Sequence, residues 1–234
     1  MLDDAKALVR LPLNLDRSDV LKLGGAIGVV GGLIAVDHPL RTFVQRNTTS
    51  KGTDAANRVI DWLGTGPLLG YNAAAIAIGV ANESYGGGSR LKEAALVSLE
   101  AEGFAIGATS ALKFLTGRAR PERNQGATHF RPFMGLDTSF ASTSAAASFA
   151  VATVAAERYS GAGWVAYPLA GAVSVAKIYT DKHFASDVVA GALIGYGLGH
   201  FINRQHIRDP TAWQIRPMAM EHGVGGGFLI GKQF

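Results

Sequence analysis

The chain has 234 residues, of which 48% are hydrophobic and 17% charged, with 30 glycines and a formal charge of +4. The apolar fraction excludes a mostly disordered chain. The absence of cysteine excludes a disulfide framework, a thiolate metal site and a cysteine nucleophile. The charge excess is mild, and the basic residues gathered between Lys113 and Arg131 lack the interleaved aromatics of a nucleic-acid surface, so no nucleic-acid partner is expected.

Met1-Leu2-Asp3-Asp4 is acidic where an export signal is basic, so no secretory signal is read there. Helices are predicted over Arg17–Val36, a short piece Pro39–Gln45, Thr53–Leu63, Leu68–Ala81, Ser89–Thr116, Thr143–Arg158, Trp164–Tyr179 and Ser186–Arg204. The breakers between them are Gly64-Thr65-Gly66-Pro67, Gly86-Gly87-Gly88-Ser89 and Ser160-Gly161-Ala162-Gly163. These are turn compositions rather than linkers, so residues 1–234 read as one domain with no internal repeat. The tail 210–234 alternates at Trp213, Ile215 and Pro217 and then turns glycine-rich, which predicts a short hairpin or extended strap.

Membrane character is borderline. A spanning helix needs about 20 apolar residues. Leu23–Val36 is uncharged but short; Trp62–Asn82 is long enough but carries glycines, a proline and asparagines; Ser160–Ala176 contains Pro168. Glu93, Glu100 and Glu102 are costly in lipid unless they face inward. The reading adopted is a membrane-associated or exported, periplasmic bundle, against the alternative of a soluble alanine-rich one. Oligomeric state is not readable.

Three clusters carry chemistry. In Lys113-Phe-Leu-Thr-Gly-Arg-Ala-Arg120-Pro121 the two cations lie seven residues apart, which predicts one shared helix face before Pro121 stops the helix. Such a pair suits a phosphate clamp, although a basic helix end also simply complements the helix dipole. Ser139-Phe140-Ala141-Ser142-Thr143-Ser144 opens an alanine-rich helix, either as a cap or as an anion site. In Lys177-Ile-Tyr-Thr-Asp-Lys-His183-Phe-Ala-Ser-Asp187 the histidine and aspartate lie four apart, so the carboxylate can fix the imidazole tautomer. That is the logic of an oriented nucleophile, and it is also a common structural pair.

Together the clusters resemble the type 2 phosphatidic acid phosphatase (PAP2) family, which shares its core with vanadium haloperoxidases and class A acid phosphatases. That family reads Lys-x6-Arg-Pro, then Pro-Ser-Gly-His, then Ser-Arg-x5-His-x3-Asp. Here the first motif is complete at Lys113, Arg120 and Pro121, and the third keeps its spacing at Lys177, His183 and Asp187. The likeness covers about 89–204, half of the chain. It implies an all-α, PAP2-like bundle of about six core helices. It also implies that His183 attacks phosphorus to form a phosphohistidine and that Asp187 orients it. Lys113, Arg120 and Lys177 would hold the phosphoryl oxygens, joined by Ser142 and the backbone of Thr143 and Ser144. The family needs no metal or organic cofactor, though vanadate or phosphate fits such a site. The implied partner is a phosphorylated lipid or small phosphate ester, with a membrane as a further candidate partner.

The departures sit at the phosphate. Ala141-Ser142-Thr143-Ser144 replaces Pro-Ser-Gly-His, and Ala176-Lys177 replaces Ser-Arg. The family's second-motif histidine protonates the leaving oxygen. A serine hydroxyl has no pKa near neutrality, and losing a general acid typically costs about two to four powers of ten in rate. Thr143 adds a side chain where backbone should approach phosphate, and Lys177 keeps charge without the bidentate fork. His129 and Asp137 are candidate substitutes for the acid. His38, His200, His206 and His222 match no motif. Two functions follow: a phosphatase of phosphomonoesters or lipid pyrophosphates, of the phosphoric monoester hydrolase type, or an impaired relative that binds a phosphorylated lipid or anion without efficient turnover. Small size and Lys177 argue against a haloperoxidase.

Overall fold

The computed structural model describes residues 5–6, 16–48, 51–63, 68–86, 88–208, 214–219 and 226–231. They form seven α-helices: α1 (Arg17–Asn47), α2 (Lys51–Leu63), α3 (Leu68–Ser84), α4 (Arg90–Thr116), α5 (Thr143–Arg158), α6 (Gly163–Tyr179) and α7 (Ala185–Arg208). A short antiparallel pair follows, β1 (Gln214–Ala219) and β2 (Gly226–Gly231), with Ile215 opposite Ile230. The tail is therefore the hairpin that its alternation and glycines predict. Met1–Asp4, the Gly64–Pro67 segment, Gly87, Trp213 and His222 lie outside the described residues.

Two sequence expectations fail in instructive ways. The predicted break before Pro39 does not occur, and α1 runs 31 residues through the proline. Proline removes one helical hydrogen bond, but α1 is anchored on both sides of it. Asp37 is buried before the proline, and beyond it Arg41 binds Asp181 and Gln45 binds the Tyr179 carbonyl. Tertiary contacts thus supply what local propensity lacks. Second, Lys113 and Arg120 do not share a helix face. α4 ends at Thr116, Gly117 takes a left-handed conformation (φ 58°) with its N–H on the Lys113 carbonyl, and Arg120 lies in extended backbone. Glycine just past the last turn stops the helix before proline does.

The alanine-rich α5 sits between α4, α6 and α7. Its small side chains let α7 approach backbone to backbone: a Cβ added at Gly191, Gly195 or Gly199 would lie 2.3 Å from the Ser142 carbonyl oxygen, 2.1 Å from that of Ala146 and 2.7 Å from that of Ala150. Val97, Ala101, Ala105, Ala146, Ala150, Val154 and Ile202 form the buried core, with Phe104, Leu198 and Phe201 against it.

The glutamates of α4 divide by face. Glu102 is buried and accepts from Asn72 on α3 at 2.8 Å, and Glu100 is buried against His206 on α7 at 2.9 Å, while Glu93 is exposed. Such pairing removes most of the penalty for polar groups in an apolar bundle. Among the described residues α1, α4 and α7 are long and apolar enough to cross a membrane, and the apolar stretch of α1 has none of its residues buried. That supports membrane association. The stretches 62–82 and 160–176 are not among these three, because α3 and α6 have 17 residues each.

Candidate active site

The site is assembled by the segment between α4 and α5. The Arg131 N–H donates to the Gly117 carbonyl at 3.0 Å, and a Cβ on Gly117 would lie 1.6 Å from the Arg131 oxygen, so only glycine fits that crossing. Further along, the Ser139 N–H donates to the Arg118 carbonyl at 2.8 Å, and the Thr138 hydroxyl donates to the Lys113 carbonyl at 3.1 Å. These bonds fix the carbonyls of Thr138 and Ser139 over the end of α4. There the Lys113 Nζ donates to them at 2.6 and 3.4 Å.

The third motif closes onto the same carbonyls. The His183 and Lys182 N–H groups donate to the Lys177 carbonyl at 3.2 and 3.1 Å, which turns the chain between α6 and α7 and sets the five-residue spacing. His183 Nδ1 then lies 2.8 Å from the Ser139 carbonyl oxygen. A carbonyl only accepts, so Nδ1 carries the proton and Nε2 keeps its lone pair. Asp187 Oδ2 lies 3.8 Å from Nδ1, an ion-pair distance beyond hydrogen-bond reach. It accepts instead from the Phe184 N–H at 2.8 Å, while Oδ1 accepts from Arg118 Nη1 at 2.6 Å. The nearer orienter of the imidazole is thus the Ser139 carbonyl. Burial holds His183 below the ordinary imidazole range; Asp187 pulls it up, and the charges of Lys113 and Arg120 push it further down. The ring is neutral at neutral pH.

Lys113, Lys177 and His183 are buried, and Arg120 is half-buried. Arg120 faces Asp137 at 2.9 Å, and the same carboxylate meets Arg123 at 2.5 Å. The Arg120 Nε is buried without a hydrogen-bond partner. Ser142 behaves as a cap: its oxygen accepts from the Ala145 N–H at 3.4 Å, and its own N–H donates to the Asp187 carbonyl at 2.9 Å. Thr143 is engaged by the Thr109 hydroxyl at 3.2 Å, which turns its side chain to α4. Among the described residues the backbone N–H groups of Thr143 and Ser144 take no protein partner. They are the free donors at the start of α5.

The Ser139 carbonyl thus links Lys113 to His183, the Asp187 carbonyl ties Ser142 to the start of α7, the Lys177 carbonyl holds the His183 loop, and Arg120 acts on His183 through its charge. Neither substitute acid bonds to His183. Asp137 is exposed and paired with arginines; the His129 carbonyl accepts from the Ala119 N–H, and its ring Nε2 is buried without a partner. Sequence reasoning missed Ser139, whose role is a backbone carbonyl with no side-chain signature. It also missed Arg118, which stands two residues before Arg120 and was readable only as one more cation. Among the described residues no group of three or more His, Cys, Asp or Glu side chains could hold a metal ion.

The chain is 30% identical over 155 residues to a lipid A 1-phosphatase of Porphyromonas gingivalis, an alignment covering 62% of this chain and 32% of that one. This chain thus spans about a third of that relative's length. Its fold matches a transmembrane PAP2-type phosphatidylglycerolphosphate phosphatase of Bacillus subtilis, with a TM-score of 0.62 at 16% identity over 79% of this chain and 95% of the other. It also matches LpxE of Aquifex aeolicus, with a TM-score of 0.51 at 20% identity over 71% and 93%. The PAP2 superfamily model matches residues 94–209, from the first turns of α4 to the end of α7, a span that holds all three motifs. The chain belongs to the PAP2 superfamily.

Proposed function

We propose that the chain is one catalytic unit, an exported and membrane-bound phosphatase of phosphorylated lipids in which His183 is the nucleophile and Lys113, Arg120 and Lys177 clamp the phosphoryl group. The observation that carries this reading is the 2.8 Å bond from His183 Nδ1 to the Ser139 carbonyl, which leaves Nε2 as the nitrogen with a free lone pair. Nε2 forms a bond to phosphorus as the bond to the leaving oxygen breaks. Asp187 offsets the positive charge that the ring acquires. Water then attacks phosphorus, the N–P bond breaks and inorganic phosphate leaves. Buried cations and the free N–H groups of Thr143 and Ser144 offset charge on the equatorial oxygens. The substrate class is supported by the apolar helices α1, α4 and α7 and by relatives described as phosphatases of lipid A and of phosphatidylglycerolphosphate.

Leaving-group protonation is the weak point, because Ser144 stands where an acid belongs. The lipid monophosphate that leaves a lipid pyrophosphate needs little protonation, so lipid pyrophosphates are the favoured substrates over monoesters of lipid alcohols. The second reading, binding without efficient turnover, is favoured by the same serine. Phosphate release from a panel of lipid phosphates and pyrophosphates separates the two. Turnover that His183→Ala abolishes supports the enzyme. A silent chain that Ser144→His activates supports the binder.

A further inference from the structure

Asp37 lies on α1, outside the residues matched to the superfamily, in no motif, and is 1% exposed. A carboxylate so deeply buried survives only with strong partners. Its partners lead to the reacting histidine. Arg118 is wholly buried, and all five of its N–H donors are taken: Nε and Nη2 by the Ala127 carbonyl (2.8 and 2.6 Å), Nη1 by the Ser186 hydroxyl (2.7 Å) and Asp187 Oδ1 (2.6 Å), and Nη2 also by Asp37 Oδ2 (2.7 Å). The guanidinium stands over the rings of Phe184 and Phe130, 4.4 and 5.5 Å from their centroids. Asp37 also accepts from the Ser186 N–H at 3.0 Å and from the Ser186 hydroxyl. That N–H lies in the first turn of α7, where no helical acceptor exists, so Asp37 caps α7 from another helix.

One guanidinium thus lies between two buried carboxylates, and one of them, Asp187, faces His183. We infer that Asp37 is a positioning residue for hydrolysis: through Arg118 and Ser186 it fixes the start of α7 and offsets the Arg118 charge, leaving Asp187 free to stabilise the cationic ring of His183. This rests on His183 being the nucleophile. Without Asp37, the Arg118 charge is balanced by Asp187 alone, and the field at His183 becomes more positive. The charged groups acting on that ring are Asp187 from α7, Lys113 from α4 and Arg120 from the connecting segment, with Arg118 reaching it through Asp187; none of them changes when Asp37 does.

The test uses the full chain in detergent micelles, as wild type, Asp37→Asn, Asp37→Glu and His183→Ala. Asparagine keeps the shape and removes the charge. The expected result is a fall in kcat of about a hundredfold, the scale of a misplaced reacting group, with KM nearly unchanged because the clamp is intact. In NMR titrations, with His183→Ala assigning the signal, the His183 ring titrates at lower pH in Asp37→Asn. Asp37→Glu restores the charge on a longer arm, so it returns the titration to the wild-type position while kcat stays reduced. Asp37→Asn that melts like wild type and binds inorganic phosphate as tightly, yet keeps wild-type kcat and titration, overturns the proposal. If Asp37→Asn does not fold, wild-type kcat in Asp37→Glu overturns it. If wild type releases no phosphate, the phosphatase reading fails on its own; the titration still decides the coupling, a shift upholding it and no shift overturning it.

Discussion

Lys113 has two tasks, and replacing it separates them. Lys113→Met keeps most of the length of the side chain and removes the ammonium. That ammonium makes the 2.6 Å bond to the Thr138 carbonyl and the longer one to Ser139. The Ser139 carbonyl retains its His183 donor, but the Thr138 carbonyl loses its ammonium in a buried place. A stranded acceptor there costs about 1–3 kcal/mol of folding stability. Loss of one preorganised donor to the phosphoryl oxygens lowers kcat by about 10²–10³. The informative quantity is the pH profile. His183 attacks when neutral, so activity fails as pH falls through its pKa, which burial holds below the ordinary imidazole range and the Lys113 charge lowers further. Removing Lys113 lets that pKa rise, so the acid limb of kcat/KM moves to higher pH, opposite to the shift expected of Asp37→Asn. Initial rates of phosphate release across pH, beside thermal melts, measure both. An acid limb that stays put or moves lower in Lys113→Met refutes the reasoning.

Further perturbations probe the frame and the clamp. Gly195→Ala puts a Cβ 2.1 Å from the Ala146 carbonyl oxygen and forces α5 and α7 apart, whereas Gly197→Ala meets nothing within 4 Å. Thermal unfolding should show Gly195→Ala destabilised by about 1–3 kcal/mol, with Gly197→Ala neutral or stabilised by up to about 1 kcal/mol. Asp137→Asn releases Arg120 and Arg123 from a carboxylate that competes with phosphate, so the KM for a phosphorylated lipid falls while kcat holds. Because His183 is depressed in the folded state, acidification through the unfolded imidazole range protonates the unfolded chain first, and stability falls with pH there. His183→Asn, which binds no proton, should show a shallower loss of melting temperature over that window.

The helices were legible because glycine and serine clusters punctuate long apolar stretches, and the spacings of motifs one and three were sufficient to indicate the family. What was not legible depended on contacts distant in sequence. Pro39 reads as a break, yet α1 runs through it, with Asp37, Arg41 and Gln45 gripping other elements on either side. The shared face of Lys113 and Arg120 followed from counting residues along a helix, but Gly117 ends that helix first. The interval of four between His183 and Asp187 suggested a direct bond. Instead His183 precedes α7, and the Ser139 carbonyl takes the ring proton. A carbonyl orienter has no residue type to recognise. The cap at Ser142 was readable because side-chain oxygen at a helix start has a local partner.

The most direct test of the central claim is to trap the intermediate. The chain is mixed with a lipid pyrophosphate, quenched in alkali within the turnover time and digested for mass spectrometry. The account predicts a base-stable, acid-labile phosphoryl group on Nε2 of His183, absent from His183→Ala. Turnover that continues in His183→Ala, or phosphate trapped on another residue, would contradict it.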